Sequence, residues 1–235
     1  MSSFQFRQFI IHQDDAPLKV TTDACLFGAI VKCKQATTVL DIGTGTGLLA
    51  LMLAQRNSDA EITGIEIDNH TAELAKKNFE GSKFSNRLKL INADATKWSH
   101  ESREHFNLIV CNPPFFSSSM KNSDKRKSVA RHNDSLSHFQ LSSIISKHLD
   151  PEGYAWIMLP PDEMKEFIKV IDERKLFADH KIYVSSSEKK KPHLVIASFS
   201  REQKSLQETK IFIHDSYENY SKEFSELLFP FYLHL

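Results

Sequence analysis

With 235 residues, 40% of them hydrophobic, 26% charged and a formal net charge of zero, the chain has the composition of one large globular α/β domain, or of a domain with a small addition. No apolar run reaches about 18 residues, and the first residues carry no basic segment followed by an apolar one, so neither a membrane span nor a secretory leader is expected. The three cysteines, Cys25, Cys33 and Cys111, are scattered; they fit a reducing cytoplasm and neither a disulfide framework nor a zinc centre, so no metal is expected.

Residues 1–35 read as a lead-in. A stretch bearing Phe4, Phe6 and Phe9 comes first, followed by Lys19-Val20-Thr21-Thr22-Asp23 and a helix over residues 24–31 capped by Thr22 or Asp23. Residues 36–235 read as a single domain of alternating strands and helices. Strands are predicted over 38–42, 61–67, 88–91 and 106–111, with helices over 48–54 and 69–79. A helix over 136–149 is expected to stop at Asp150-Pro151. A strand over 153–159, a helix over 162–175 and a closing pair of strands over 180–185 and 193–199 follow, the pair joined by a lysine-rich turn. The tail carries an apolar strand over 210–214 and an amphipathic helix near 221–228, and should complete the sheet. This order predicts a mostly parallel sheet covered by helices on both faces.

Two motifs carry chemistry. Gly43-Thr44-Gly45-Thr46-Gly47 sits between a strand and a helix, the context in which a glycine-rich turn brings backbone close to a ligand. Its spacing departs from the G-x-G-x-x-G of dinucleotide enzymes. Asp41, just ahead of it, suits a ligand with an ammonium group, such as the methionine end of S-adenosylmethionine, better than a pyrophosphate. The second motif is Asn112-Pro113-Pro114-Phe115, at the end of the strand over 106–111. Consecutive prolines have no N–H for a sheet ladder, so the chain must leave the sheet in a fixed extended shape. That turn offers a side-chain amide, a free carbonyl and an aromatic face, which together suit a planar amino group.

Ligands of such sheets bind beyond the carboxyl ends of the strands, at the switch in strand order. Asp41, Glu66, Asn92-Ala93-Asp94 and Asn112 all fall at strand ends, with Glu66 about 20 residues after the glycine turn, where a carboxylate accepts ribose hydroxyls. A single acid at such a place usually caps the next helix; four polar ends in register are harder to dismiss. Zero net charge does not advertise a nucleic-acid binder. Charge is uneven, however: Lys121, Lys125, Arg126, Lys127 and Arg131 crowd behind the Asn-Pro-Pro-Phe turn with Asp124 opposing, and Lys189-Lys190-Lys191 reads equally as a solvated loop or a contact.

These residues resemble the motifs of class I S-adenosylmethionine-dependent methyltransferases. Asn112-Pro113-Pro114-Phe115 is similar to the signature of members that methylate exocyclic amines or amides. Phe6-Arg7-Gln8-Phe9, Lys19 to Asp23, Ala130-Arg131-His132 with Asp134-Ser135-Leu136, Lys191-Pro192-His193 and Phe231-Tyr232-Leu233 extend the likeness to the bacterial tRNA1(Val) adenine-37 N6-methyltransferase family. The resemblance implies a Rossmann-like, seven-stranded, mostly parallel sheet. It implies that Asp41, Gly43, Thr44 and Gly45 cradle the methionine portion of S-adenosylmethionine, Glu66 its ribose, and Ile67, Asp94 and Ala95 its adenine, with Lys19 and Asp23 covering it. Asn112, Pro113, Pro114 and Phe115 would hold the target adenine, Phe115 standing where tyrosine is commoner. Lys121, Lys125, Arg126, Lys127 and Arg131 would grip phosphates of the tRNA anticodon loop, and the protein would work in the cytoplasm as a monomer. Rival acceptors for the same tetrapeptide are a release-factor glutamine, an rRNA guanine and a DNA adenine. A non-catalytic binding module is disfavoured by the intact polar set, and a nicotinamide oxidoreductase by the glycine spacing.

Overall fold

The computed structural model describes residues 2–113 and 136–235. Two short strands, β1 (Ser3–Gln5) and β2 (Ile10–His12), form an antiparallel hairpin ahead of helix α1 (Thr22–Ile30). The alternation begins with β3 (Thr38–Ile42), α2 (Leu48–Arg56), β4 (Glu61–Glu66), α3 (Asn69–Glu80), β5 (Leu88–Asn92), α4 (Ala95–Glu101) and β6 (Phe106–Cys111). After the undescribed stretch it continues with α5 (His138–His148), β7 (Leu149–Leu159), α6 (Pro161–Asp172), β8 (Phe177–Ser185), β9 (Leu194–Ser200), β10 (Gln207–Phe212) and α7 (Lys222–Leu228).

The main sheet has the order β10-β8-β9-β7-β6-β3-β4-β5. All neighbours pair in parallel except β9, which runs antiparallel to both β7 and β8. It has eight strands rather than the expected seven, because β10 adds in parallel to β8 at the outer edge. Strand order reverses between β3 and β6, which places the switch point there.

Alternate residues of the central strands feed two cores. Val39, Leu108, Val110, Trp156 and Met158 pack with α1, α2 and α7. Leu40, Ile109, Cys111, Ala155 and Ile157 face the other way, against α5 and α6. Both faces of the sheet are therefore dry, as near-continuous apolar strands require. Phe6 and Phe9 belong to the first core, and all three cysteines are buried and free.

Several bounds differ from expectation, among them the tail strand, expected over 210–214 and found over 207–212. The cap of α1 is Thr21, whose hydroxyl accepts from the Ala24 amide at 3.2 Å, not Thr22 or Asp23. Helix α5 ends at His148, just ahead of Asp150-Pro151 as expected, but β7 begins at once at Leu149, where a strand was expected only over 153–159. Pro151 is tolerated because the pairing of β7 with β6 jumps from Leu149 to Tyr154 across an irregularity, so no ladder bond is asked of its missing N–H. The helix α4, which has no clear apolar stripe, was not expected; the Asp94 side chain starts it by accepting from the Thr96 amide. Among the described residues no helix is long and apolar enough to cross a membrane.

Candidate active site

The turn after β3 is built from backbone that only glycine adopts easily. Gly43, Gly45 and Gly47 have φ of 69°, 58° and 86°. A Cβ added at Gly43 or Gly45 would meet nothing within 4 Å, so open space lies over the turn. At Gly47 a Cβ would come within 2.5 Å of the Phe79 ring, which fixes how closely α3 approaches α2. Helix α2 starts at Gly47 with no side-chain cap, whereas α1, α3, α4, α5 and α7 are each capped by a Thr, Asp or Ser side chain. The positive end of its dipole lies at this turn, and the Ala50 amide of its first turn is directed at the buried Asp41 carboxylate.

Asp41 is fully buried at the end of β3. Its Oδ2 accepts from the Thr44 hydroxyl at 2.7 Å, and its Oδ1 has no hydrogen-bond partner among the described residues. Burial pushes its carboxyl up to about 7, with the nearby Glu66 charge adding to the effect. Thr44 therefore turns inward to hold Asp41 instead of lining the cleft. Glu66, at the end of β4, accepts from the Gly45 amide through Oε2 and from the Asp68 amide through Oε1, both at 2.9 Å. These two bonds aim the carboxylate over the glycine turn, and a carboxylate has acceptor sites left for two hydroxyls.

Ile67 follows with its side chain 55% exposed, a flat apolar surface beside Glu66. Asp94 performs the capping role that such acids usually have. Its Oδ1 accepts from the Thr96 hydroxyl and amide, and these bonds hold it below the usual carboxylate range. Ala95 opens α4 next to it, half-buried. Lys19 is exposed on the segment before α1.

The pairing of Ile42 with Cys111 brings the end of β6 level with the end of β3. Asn112 thus emerges at the switch point, beside the Asp41 turn. Its Oδ1 is buried and has no partner among the described residues, and Pro113 behind it is buried. An unsatisfied buried acceptor is costly, on the order of 1–3 kcal/mol, and two of them at one switch point point to ligands. Asp41, the glycine turn, Glu66, Ile67, Asp94 and Asn112 share one edge of the sheet. Pro114, Phe115, Lys121, Lys125, Arg126, Lys127 and Arg131 lie outside the described residues.

One residue of this edge escaped the sequence reading. Asn78 is buried on the inner face of α3 and ties the N-terminal hairpin to the glycine turn. It accepts from the His12 amide at 2.8 Å and donates to the carbonyls of His12 at 3.0 Å and Thr46 at 2.8 Å. An asparagine at an apolar position of an amphipathic helix was the available signal. His193 meets Asp23 at 3.1 Å, a contact between residues far apart in the chain that no local pattern announces.

A family model for the methyltransferase small domain matches residues 22–138, which span the glycine turn and Asn112. A tRNA1(Val) (adenine(37)-N6)-methyltransferase from Vibrio campbellii is 39% identical over 230 residues, 98% of this chain and 95% of the relative. One from Bacteroides thetaiotaomicron is 36% identical over 99% of this chain and 98% of its own length. Among solved structures, a predicted O-methyltransferase from Agrobacterium tumefaciens shares the fold with a TM-score of 0.69 at 18% identity, covering 87% of this chain and 94% of that one. A glycopeptide N-methyltransferase in complex with S-adenosylmethionine shares it with a TM-score of 0.54 at 12% identity, covering 77% and 93%. Near-full-length identity well above 30% to relatives of one description decides the matter: the chain belongs to the tRNA1(Val) (adenine(37)-N6)-methyltransferase family.

Proposed function

We propose that this protein methylates the N6 amine of adenine 37 in the anticodon loop of a valine tRNA, with S-adenosylmethionine as methyl donor, in the cytoplasm. The observation that carries the reading is the buried Asn112 Oδ1 at the switch point, which like Asp41 Oδ1 at the same sheet edge has no partner among the described residues. The residues present fit the cofactor. Asp41 offers a desolvated acceptor for an ammonium group, the uncapped first turn of α2 suits a carboxylate, Glu66 faces the place for two ribose hydroxyls, and exposed Ile67 offers an apolar face to an adenine. Lys19 and α1, within residues 1–35, cover this half of the cleft in the same reading.

When bound, S-adenosylmethionine supplies an electrophilic methyl group on a sulfonium. The protein's task is to prepare the acceptor, because the N6 lone pair of adenine is delocalised into the ring. Asn112 Oδ1 and the Pro113 carbonyl each accept a hydrogen bond from the amino group, which turns the lone pair toward the methyl carbon and favours a pyramidal nitrogen. The two oxygen dipoles stabilise the positive charge that builds on nitrogen as the new bond forms, and the surplus proton leaves afterwards. No lysine or histidine base is required. Phe115 stacks on the base, which must be out of any helix to reach the site, so a loop is a cheaper substrate than a duplex. The basic run from Lys121 to Arg131 grips the phosphates.

The test is a transfer assay with labelled S-adenosylmethionine and unmodified tRNA, followed by nucleoside analysis. Label in N6-methyladenosine supports the reading; label in a release-factor glutamine or in no RNA overturns it. Asn112→Ala should lower kcat on the order of a hundredfold or more while leaving the cofactor Kd nearly unchanged. Wild-type turnover in that variant would refute the role of Asn112.

A further inference from the structure

A second concave site lies away from the Asp41–Asn112 cleft. It is an open cleft of about 450 Å³ between the first turn of α1, the β8–β9 turn and the tail after β10. That volume falls within the range of small-ligand sites. Strand direction fixes where it opens. The strands β8 and β10 run parallel to each other, and β8 is antiparallel to β9, which is antiparallel to β7. Hence β8 and β10 end on the same edge of the sheet as β3 and β6, and the cleft faces the side from which Asn112 emerges. Only β9 and β7 stand between β8 and β6, three inter-strand steps of about 4.8 Å, or about 14 Å along the edge. One strand of nucleic acid entering the catalytic cleft can reach it.

Its walls combine charge with an aromatic ladder. Lys190 and Lys191 line it, both exposed and neither within ion-pair distance of a carboxylate among the described residues. The one acid in the wall, Asp23, is matched by His193 at 3.1 Å, and the hydrogen bond to Asp23 pushes that imidazole above its ordinary value. The hydrogen bond occupies the Asp23 carboxylate with His193 and leaves the lysines for a ligand. Opposite them, Phe224, Tyr220 and His214 form a stack, with centroid distances of 4.7 Å and 5.4 Å and interplanar angles of 29° and 18°. Phe224 is fully buried and anchors the stack; Tyr220 and His214 line the cleft. His214 is held further at the Ser186 carbonyl, by its amide at 2.9 Å and by its ring Nδ1 at 3.1 Å.

Unpaired lysines beside a rigid ring stack are the combination that binds single-stranded nucleic acid, phosphate on the cations and base on the rings. We propose that this cleft is a second RNA subsite, holding a phosphate of the substrate strand on Lys190 and Lys191 while a neighbouring base of that strand extends the Phe224–Tyr220–His214 ladder. The inference rests on the reading of the protein as an RNA methyltransferase and adds the place where the strand is held beside the methylated base. It gives a chain of zero net charge a local means of gripping RNA.

The experiment measures methylation kinetics and RNA affinity over a salt series for the full chain and for Lys190→Gln/Lys191→Gln. A control, Lys76→Gln/Lys77→Gln on α3, removes two exposed charges at the opposite end of the strand order. The first variant should raise KM for tRNA about tenfold, keep kcat within about twofold and the cofactor Kd unchanged, and lower the slope of log affinity against log salt by about 1, the share of one phosphate. The control should change none of these comparably. His214→Ala should also raise KM, and His214→Phe should recover most of the loss, because the ring continues the stack and only the Nδ1 contact with the Ser186 carbonyl is missing. Wild-type tRNA methylation with an unaltered KM and salt slope in the lysine variant would overturn the subsite and leave the proposed function standing. A wild-type protein that methylates no RNA overturns both. Equal loss in the α3 control would overturn the cleft in favour of diffuse charge.

Discussion

Replacing Asp41 by asparagine isolates the electrostatic strain of the cleft. Asparagine keeps the shape and can still accept from the Thr44 hydroxyl, but carries no charge. In the free protein, burial pushes the Asp41 carboxyl from its ordinary 3.8 up to about 7. The folded state therefore binds this proton more tightly than the unfolded chain. The stabilisation it brings is complete below about pH 4 and is lost as pH rises through about 7. At about 1.4 kcal/mol per unit, the shift of roughly three units corresponds to about 4 kcal/mol of instability held by the charged form. Against this, the new Nδ2 has no evident acceptor, which costs about 1–3 kcal/mol. The variant should thus be more stable than wild type by about 1–3 kcal/mol at pH 8. Two units of titration between pH 5 and 8 should shift the balance by about 3 kcal/mol towards wild type at pH 5. Urea unfolding of both proteins at the two pH values reads this directly, and groups common to both cancel in the difference. Cofactor binding should respond in the opposite sense. A cationic ligand needs the ionised carboxylate, so the wild-type Kd should rise up to tenfold per unit below about pH 7, while the variant binds weakly at every pH with no such slope. A stability difference that is the same at pH 5 and pH 8 would refute the argument.

Two stability predictions concern the frame of the site. Gly47→Ala places a Cβ 2.5 Å from the Phe79 ring at a φ of 86°, so it should destabilise by about 2–4 kcal/mol. A fall in Tm of less than about 4 °C would be too small for that clash in a chain of this size. Asn78→Ala leaves the His12 amide and the His12 and Thr46 carbonyls without their partner, and should cost about 2–4 kcal/mol. Amide exchange should then speed up selectively in β1 and β2; unchanged protection there would show that Asn78 does not hold the hairpin.

The parts of the molecule legible in the sequence are those whose cause is local. Glycines at positive φ between an apolar strand and an apolar helix announce the β3–α2 turn, because few other arrangements tolerate that spacing. Asn112-Pro113 announces a strand end for the same kind of reason: proline removes the donor that a ladder needs. The hairpin of β1 and β2 was not legible, since three residues per strand give no alternation to read, and it is held by partners distant in the chain: the first core around Phe6, Phe9 and Ile11, and Asn78 on α3. The eighth strand was seen as an apolar run, but its register beside β8 depends on a pairing partner that local pattern does not name. Thr21, Thr22 and Asp23 are all chemically fit to cap α1, and only the extended backbone at Thr21, with φ of −121°, decides among them.

The same distinction separates the two clefts. Asp41, Glu66, Asp94 and Asn112 could be gathered into one site from sequence because parallel strands deliver their carboxyl ends to one edge, so position within a strand already implies position in space. Lys190, Lys191, His193 and Asp23 obey no such rule: three lie in a turn and the fourth on a helix 170 residues away from His193. A lysine triplet in a turn is usually solvated, and nothing in its own neighbourhood distinguishes it from that. The closing strands change its meaning. Because β9 reverses direction, the turn that precedes it returns to the edge where β3 and β6 end, and the tail after β10 arrives there carrying His214 and Tyr220. A charge run read in isolation is surface; the same run delivered to the catalytic edge, facing a ring stack anchored in the core, has the geometry to hold one strand of RNA against the methylation site.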